Sequence, residues 1–465
     1  MKTLSPSQHT PNSTASVLPT LKSIVKVSPP GPKSLSFLER IKKVVGRSNY
    51  LGLYGITLVD GEGAYIVDLD GNIYLDCLAA ASCNLLGYSY ERVAEVYYQV
   101  AKTLQNSCFP YSPNLQAVEL AEHLIRITPG NYPKKVLLGL SGSDACDGAI
   151  QAMRKYTKKL ALLKFRNDYH GSTGLSQPAS GFRNLNVGVF PPSPNFITID
   201  FPVTRQQSER TLKKIENTLA KGKVGAVMAE PIQGDAGIHV PYPGFFPRLV
   251  EVLQDERAIL IVDEVQSGMG RTGKWWAIEH ENIVPDLLVT AKGLSAGYAS
   301  ISALIGRAEI IDSLEPAQHL FTYSGHPPSA AVASKVINLI EENNLIENAA
   351  QVGARMKNGL ARVKEAFPQV VSDVRGRGLM IGVEINISQD KLAGKLFAIR
   401  CVEKGVYVGY FGVGQNVLRI EPPLIISETE ADIVVETILE VAEEMSKQRI
   451  PPSTLDKVHK YMIGL

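Results

Sequence analysis

AILIVDEVQSGMGRTGKWWAIEHENIVPDLLVTAK, residues Ala258–Lys292, is the stretch whose reading decides the fold. Its first five residues, Ala258–Val262, are an apolar, β-branched run of the kind that suits a strand buried on both faces of a parallel sheet, and two acids, Asp263 and Glu264, close the run. Pro285–Thr290 repeats the pattern and leads into Lys292. In open parallel sheets ligands bind beyond the carboxyl ends of the strands, so an Asp at one strand end and a Lys just past the next can face one cleft. A lysine there can form a Schiff base with a carbonyl, and a carboxylate can keep a pyridinium nitrogen protonated. That pairing suggests pyridoxal 5'-phosphate (PLP). Acids and lysines at strand ends also serve as solvated loop residues, so the rest of the chain has to carry the reading.

With 465 residues the chain is long enough for one large domain and one or two smaller ones around a sizeable core. Lys and Arg number 48 against 46 Asp and Glu, and a net charge of +2 offers no electrostatic reason for nucleic acid or an anionic membrane as partner. The cysteines Cys77, Cys83, Cys108, Cys146 and Cys401 are odd in number and lack metal-ligand spacing, which suits reduced thiols and predicts no metal site. No apolar run reaches the roughly 18 residues of a membrane-spanning helix, and the N-terminus lacks the apolar core of a signal peptide. A soluble cytoplasmic enzyme is the expectation.

Residues 1–35 are rich in Ser, Thr and Pro and contain no acid, and they predict a disordered tail. Gly55–Asp76 holds alternating runs around the turn Asp70-Gly71-Asn72 and predicts a small antiparallel meander. Gln105–Asn114 has the turn chemistry of a loop at a pocket edge or subunit contact. Lys134–Leu140 reads as a strand that passes through Ser141-Gly142-Ser143-Asp144 into a helical pattern. Such a helix start offers free N–H groups and a positive dipole end to a phosphate, although an ordinary capped helix has the same composition. Leu160–Phe165 is the next strand, followed by Tyr169-His170-Gly171, where a planar aromatic is able to stack on a pyridine ring. Val224–Ala229 ends at Glu230 and continues as Pro231-Ile232-Gln233-Gly234-Asp235. Beyond Lys292, Ser329–Asn344 and Leu345–Phe367 are helical in period, Gly378–Ile385 and Asn416–Ile420 are strand-like, and Ser427-Glu428-Thr429-Glu430 has the capping-box pattern of a final helix. Arg419, on the second of those strands, has the planar fork that suits a carboxylate.

DEVQSGMGRTGKWWA followed by PDLLVTAKGL, together with Ser-Gly-Ser-Asp-Ala at 141–145, Tyr-His-Gly at 169–171 and Glu-Pro-Ile-Gln-Gly at 230–234, resembles the class III aminotransferases among the fold type I PLP enzymes, over most of the chain. The resemblance implies an α/β fold: a large domain with a mostly parallel seven-stranded sheet at residues 91–345, and a small α+β domain built from both chain ends, residues 36–90 and 346–465. It implies that Asp263 anchors the ring nitrogen of PLP, that Tyr169 and Val265 cover its two faces, that Gln266 reaches the ring hydroxyl, and that Lys292 carries the carbonyl carbon. Gly142 and Ser143 take the phosphate, and Thr322 reaches the phosphate of a neighbouring subunit, which implies a homodimer with shared active sites. Arg419 binds the substrate carboxylate and is implied to pair with Glu230. The chain departs from the family at Gly87-Tyr88-Ser89-Tyr90, where Gly-His-x-His is common, and around Thr322, where His-Leu-Phe and Ser-Gly-His replace the usual pattern.

With amino acids and keto acids as the implied substrates, two outcomes stay open. Lys292, once displaced by substrate, removes the α-proton; its return to the cofactor gives transamination, and reprotonation of the α-carbon by an acid on the other face gives racemisation. Asp235 stands where many aminotransferases of the family have Glu or a small residue and where its racemases have an Asp. The frequency of aminotransferases on this scaffold puts an aminotransferase first and an amino-acid racemase or epimerase second.

Overall fold

The computed structural model describes residues 22–462 except 51, 183–188, 192, 387 and 389. The meander expected at the N-terminal end forms from β1 (Leu58–Glu62), β2 (Tyr65–Asp68) and β3 (Ile73–Asp76), paired antiparallel in that order. Its Asp-Gly-Asn turn does more than reverse the chain. The Asn72 side-chain oxygen accepts from the amides of Lys26 and Val27 at 2.8 and 2.9 Å, and the Asp70 carboxylate accepts from those of Lys33 and Ser34 at 2.8 and 2.9 Å. Over residues 22–35 this corrects the disordered tail expected at residues 1–35. Residues 1–21 lie outside the described residues, but Ile24 bridges to Ile73 and a helix begins at Pro32 and runs to Val44. The segment has little apolar surface of its own, and the turn supplies the acceptors that order it.

The central sheet contains β4 (Lys134–Gly139), β5 (Ala161–Phe165), β6 (Phe196–Ile199), β7 (Val224–Ala229), β8 (Ile259–Asp263), β9 (Leu287–Thr290) and β10 (Ser302–Arg307), in the order β4-β10-β9-β8-β7-β5-β6. Only β10 runs against its neighbours β4 and β9. Every residue of β8 is buried, and its side chains divide between two cores as a period of two requires. Ile259 and Ile261 pack with Ala149, Met153 and the helix Gly142–Thr157, whereas Leu260 and Val262 join Phe245, Leu249 and the larger core on the other face. The apolar run at 258–262 is continuous because neither face meets water.

A third sheet, β11 (Val371–Arg377), β12 (Met380–Ile385), β14 (Gly409–Phe411) and β15 (Val417–Ile420), is antiparallel in the order β11-β12-β15-β14. Between its strands the short β13 (Val406–Tyr407) leaves to pair in parallel with β3, so the two halves of the chain share one sheet. The helices Leu345–Ala366 and Glu428–Ser446 pack on one another beside this sheet, and the Ser427 capping box forms as its pattern suggests. Helix Leu345–Ala366 approaches the β11–β12 turn so closely that a Cβ on Gly353 would lie 2.2 Å from the Gly378 carbonyl. Backbone cannot yield as a flexible side chain can. Gly353→Ala is therefore expected to destabilise the fold by about 1–3 kcal/mol, the usual cost of overpacking, read as a lower urea midpoint with an unchanged m-value. A midpoint equal to that of the unaltered protein would show that this approach is not a constraint.

Candidate active site

Strands β4, β5, β7, β8 and β9 point the same way, and the segments leaving their carboxyl ends close around a cavity of about 1110 Å³. Gly142, Ser143, Tyr169, Glu230, Asp263, Val265, Gln266 and Lys292 all line it. Lys292 follows β9 directly, with φ at 38°, a left-handed conformation that side chains seldom adopt and that surrounding structure must enforce. Another strained turn, Ala79–Ser82 with four successive positive φ values from 46° to 70°, sets Ala80 and Cys83 into the wall.

Asp263 is buried at the last position of β8. Its Oδ1 accepts from the Val265 amide at 3.0 Å, and its Oδ2 lies 2.7 Å from His170 Nδ1. The other ring nitrogen of His170 is 3.3 Å from Asp168 Oδ2, in ion-pair range but outside hydrogen-bond geometry, and Gln233 Nε2 donates to Asp168 Oδ1 at 2.6 Å. Burial alone would push the imidazole toward neutrality, but the Asp168 and Asp263 carboxylates outweigh it and raise the pKa of His170 to about 10. Burial is also the largest influence on Glu230, and the neighbouring Asp168 adds to it, so its carboxyl stands well above the ordinary range.

Lys292 Nζ donates to Gln266 Oε1 at 3.2 Å, and Gln266 Nε2 donates to both oxygens of Glu421 at 3.0 Å. Arg419, on β15, donates from Nη1 to Asp235 Oδ1 at 2.5 Å, has its Nε 3.4 Å from Glu421 Oε2, and lies over the Phe411 ring at 3.5 Å. The pairing of Arg419 with Glu230 is not made. Glu230 Oε1 accepts from the Tyr169 amide at 2.8 Å and Oε2 from the Gly234 amide at 2.9 Å, which occupies both oxygens. Asp235 reaches the arginine instead because its carbonyl accepts from the Gly412 amide at 3.1 Å, tying its loop to the edge of the third sheet. Asp235 and Arg419 are not among the lining residues, although a Cβ on Gly234 would touch the Gln266 side chain, so their loop abuts the wall. Thr322 is exposed and does not line this chain's cavity.

Three partners escaped the sequence reading. Asp168 sits two residues before His170 and Glu421 two residues after Arg419, a spacing that turns both side chains of a pair to the same side of extended backbone. That signal is weak. Gln233 carried none beyond its place in Glu-Pro-Ile-Gln-Gly.

PLP, the group the sequence points to, fits these residues. Asp263 is buried and braced, the first-turn amides at Gly142 and Ser143 lack intrahelical acceptors, and a Cβ on Gly142 would lie only 3.0 Å from the Val265 methyls, so the helix start and the strand end converge on one small space.

The sheet order and the strand-end cavity are those of the fold type I PLP-dependent transferases. The chain belongs to the class-III aminotransferase family, whose model matches residues 48–442. It is 35% identical to the alanine/serine racemase of Pyrococcus horikoshii over 93% of this chain and 94% of that protein. It is also 35% identical to the leucine/methionine racemase of Thermococcus litoralis, over 91% of this chain and 98% of the relative. Among solved structures it is similar to the ornithine aminotransferase of Toxoplasma gondii seen with PLP partly occupying its active site, at a TM-score of 0.81 and 28% identity, over 89% of this chain and 95% of that one.

The raised pKa of His170 carries a stability signature. Folding stabilises the cation, so its contribution is whole below the unfolded value near 6.5 and disappears as pH rises toward about 10. The loss of unfolding free energy in the cofactor-free His170→Asn variant, measured in urea, is expected to be largest at pH 6.5 and to shrink by pH 10. A difference that is flat over that range would mean that His170 is neutral in the folded protein.

Proposed function

We propose that the protein is a PLP-dependent aminotransferase that moves an amino group from an amino acid to a keto acid. The single observation that carries this reading is the convergence of Lys292 and Asp263, from adjacent strand ends, on one cavity. When bound, PLP supplies an electron sink for the electrons released at the substrate α-carbon. Lys292 would hold the carbonyl carbon and, once the substrate amine has displaced it, its free amine would take the α-proton and hand it to that carbon.

Asp263 would face the ring nitrogen, braced by His170, whose pKa the Asp168 and Asp263 carboxylates raise to about 10. Glu230, its carboxyl pushed well above the ordinary range by burial, forms part of the wall of the substrate space. Gly142 and Ser143 would offer amides to the phosphate, Tyr169 and Val265 would enclose the ring, and Gln266, which accepts from Lys292, would be the residue to meet the ring hydroxyl. Arg419 binds the substrate carboxylate, which has to displace Asp235 to reach it. A homodimer is part of this proposal. The exposed Thr322, outside its own chain's cavity, the exposed Tyr111 of the Gln105–Asn114 region and the exposed Leu115 beside it support it. The five unpaired cysteines support a cytoplasmic setting, and among the described residues no helix is long and apolar enough to cross a membrane.

The second reading is racemisation or epimerisation. It is favoured by Asp235: once a substrate carboxylate takes Arg419, the released Asp235 carboxylate can pick up a proton from solvent and pass it to the α-carbon from the face away from Lys292, which keeps the proton it removed. The names of the two racemases at 35% identity point the same way.

Chiral analysis of single L-amino acids incubated with the holoenzyme, with and without a keto acid, separates the readings. Amino transfer that requires pyruvate or 2-oxoglutarate, with no D-product, is expected. D-product without an acceptor would establish the second reading, in which case Asp235→Asn should suppress racemisation far more than transfer. Lys292→Ala should abolish turnover and the visible absorbance of the bound cofactor under either reading. A fully active, yellow variant would remove Lys292 from both.

A further inference from the structure

Glu421 is completely buried, and its backbone amide donates to the Cys77 carbonyl at 2.7 Å, so it belongs to the seam between the two halves of the chain. A carboxylate only accepts hydrogen bonds. Both oxygens of Glu421 therefore require the nitrogen of the Gln266 amide, at 3.0 Å, and this leaves the Gln266 oxygen turned toward Lys292 Nζ at 3.2 Å. Without Glu421 the amide would be free to flip and present two N–H donors to the lysine, which is itself a donor.

The same carboxylate stands 3.4 Å from Arg419 Nε, off the hydrogen-bond direction and so acting there by charge. Arg419 thus has two counterions of different kinds. The side chain of Asp235 is 23% exposed and lies on a loop, whereas that of Glu421 is 0% exposed and is held by its own strand. Asp235 is able to leave, and Glu421 is not. The guanidinium of Arg271 donates to the carbonyls of Leu379 and Pro422, which pins the residue following Glu421 as well.

We propose that Glu421 is a positioning residue that serves both halves of the site: it orients the Gln266 amide so that its oxygen receives Lys292, and it remains as the permanent counterion of Arg419 while Asp235 gives way to a substrate carboxylate. The second half rests on the reading of Arg419 as the carboxylate binder. The Gln266 oxygen then holds the lysine nitrogen by accepting from it, and Arg419 keeps its place on Phe411 throughout the exchange.

The test uses the PLP-loaded enzyme and its most reactive amino acid. Glu421→Ala is expected to lower kcat about tenfold and to raise KM about tenfold, the scale of losing one hydrogen bond to a charged group, and to change the visible absorbance of the loaded enzyme before substrate is added. Glu421→Gln, which keeps an acceptor for Gln266 but no charge for Arg419, should recover most of kcat and the absorbance but not KM. In a Gln266→Ala background Glu421→Ala should leave kcat unchanged, and in an Arg419→Gln background it should leave KM unchanged. Effects that are the same in all backgrounds, or a lower melting temperature with unaltered kcat, KM and absorbance, would overturn the proposal. If Arg419→Gln alone leaves KM unchanged, the carboxylate assignment fails and takes the Arg419 half with it, while kcat and absorbance still report on the Gln266 half.

Discussion

A charge at the end of a strand with no face in water is the constraint on which this structure depends. Asp263 closes β8, whose side chains are all buried, and a lone carboxylate there would cost several kcal/mol in lost hydration. The surrounding residues answer that cost in sequence. His170 pairs with Asp263, Asp168 balances the other edge of the imidazole, Gln233 fixes Asp168, and burial pushes the Glu230 carboxyl well above its ordinary range. These residues come from the segments after β5, β7 and β8, so the electrostatics hold only if the parallel strands end in register. The sheet is the frame that lets these three separate segments meet within hydrogen-bond distance.

A second network starts from β15. Arg419 and Glu421 point to the same side of that segment and meet Asp235 and Gln266, which belong to loops of the central sheet. The cavity is therefore closed by two sheets that are remote in sequence, and contact between them is polar as well as apolar. Relative movement of these parts would be felt at once by Gln266 and Asp235, the residues nearest to where Lys292 and a substrate carboxylate would act. The exchangeable ion pair lies at the junction, and the rigid one lies behind it.

Much of this was legible in the chain. The apolar runs before Asp263, Glu230 and Lys292 mark strands because residues buried on both faces need no polar alternation, and the Gly-Ser segment before the helix at 142 marks a capped N-terminus through local chemistry alone. Eight of the residues that line the cavity, from Gly142 to Lys292, were readable from short motifs. What failed depended on distance. Glu230 and Asp235 are five positions apart in one loop, and nothing local tells which of them an arginine on another sheet will reach. Residues 22–35 looked too polar to order themselves, and they are held by a turn that lies some forty residues away.

The sequence by itself determined the strand ends, the helix start and the kinds of chemical groups at each, because burial pattern, capping and side-chain chemistry act over a few residues. Only the tertiary structure decided the partners: His170 between two aspartates, Asp235 rather than Glu230 on Arg419, and Glu421 shared between Gln266 and Arg419. Hydrogen bonds and ion pairs are short-ranged and directional, so they are settled by which strand ends the sheet order sets side by side, and that order follows from packing over the whole chain.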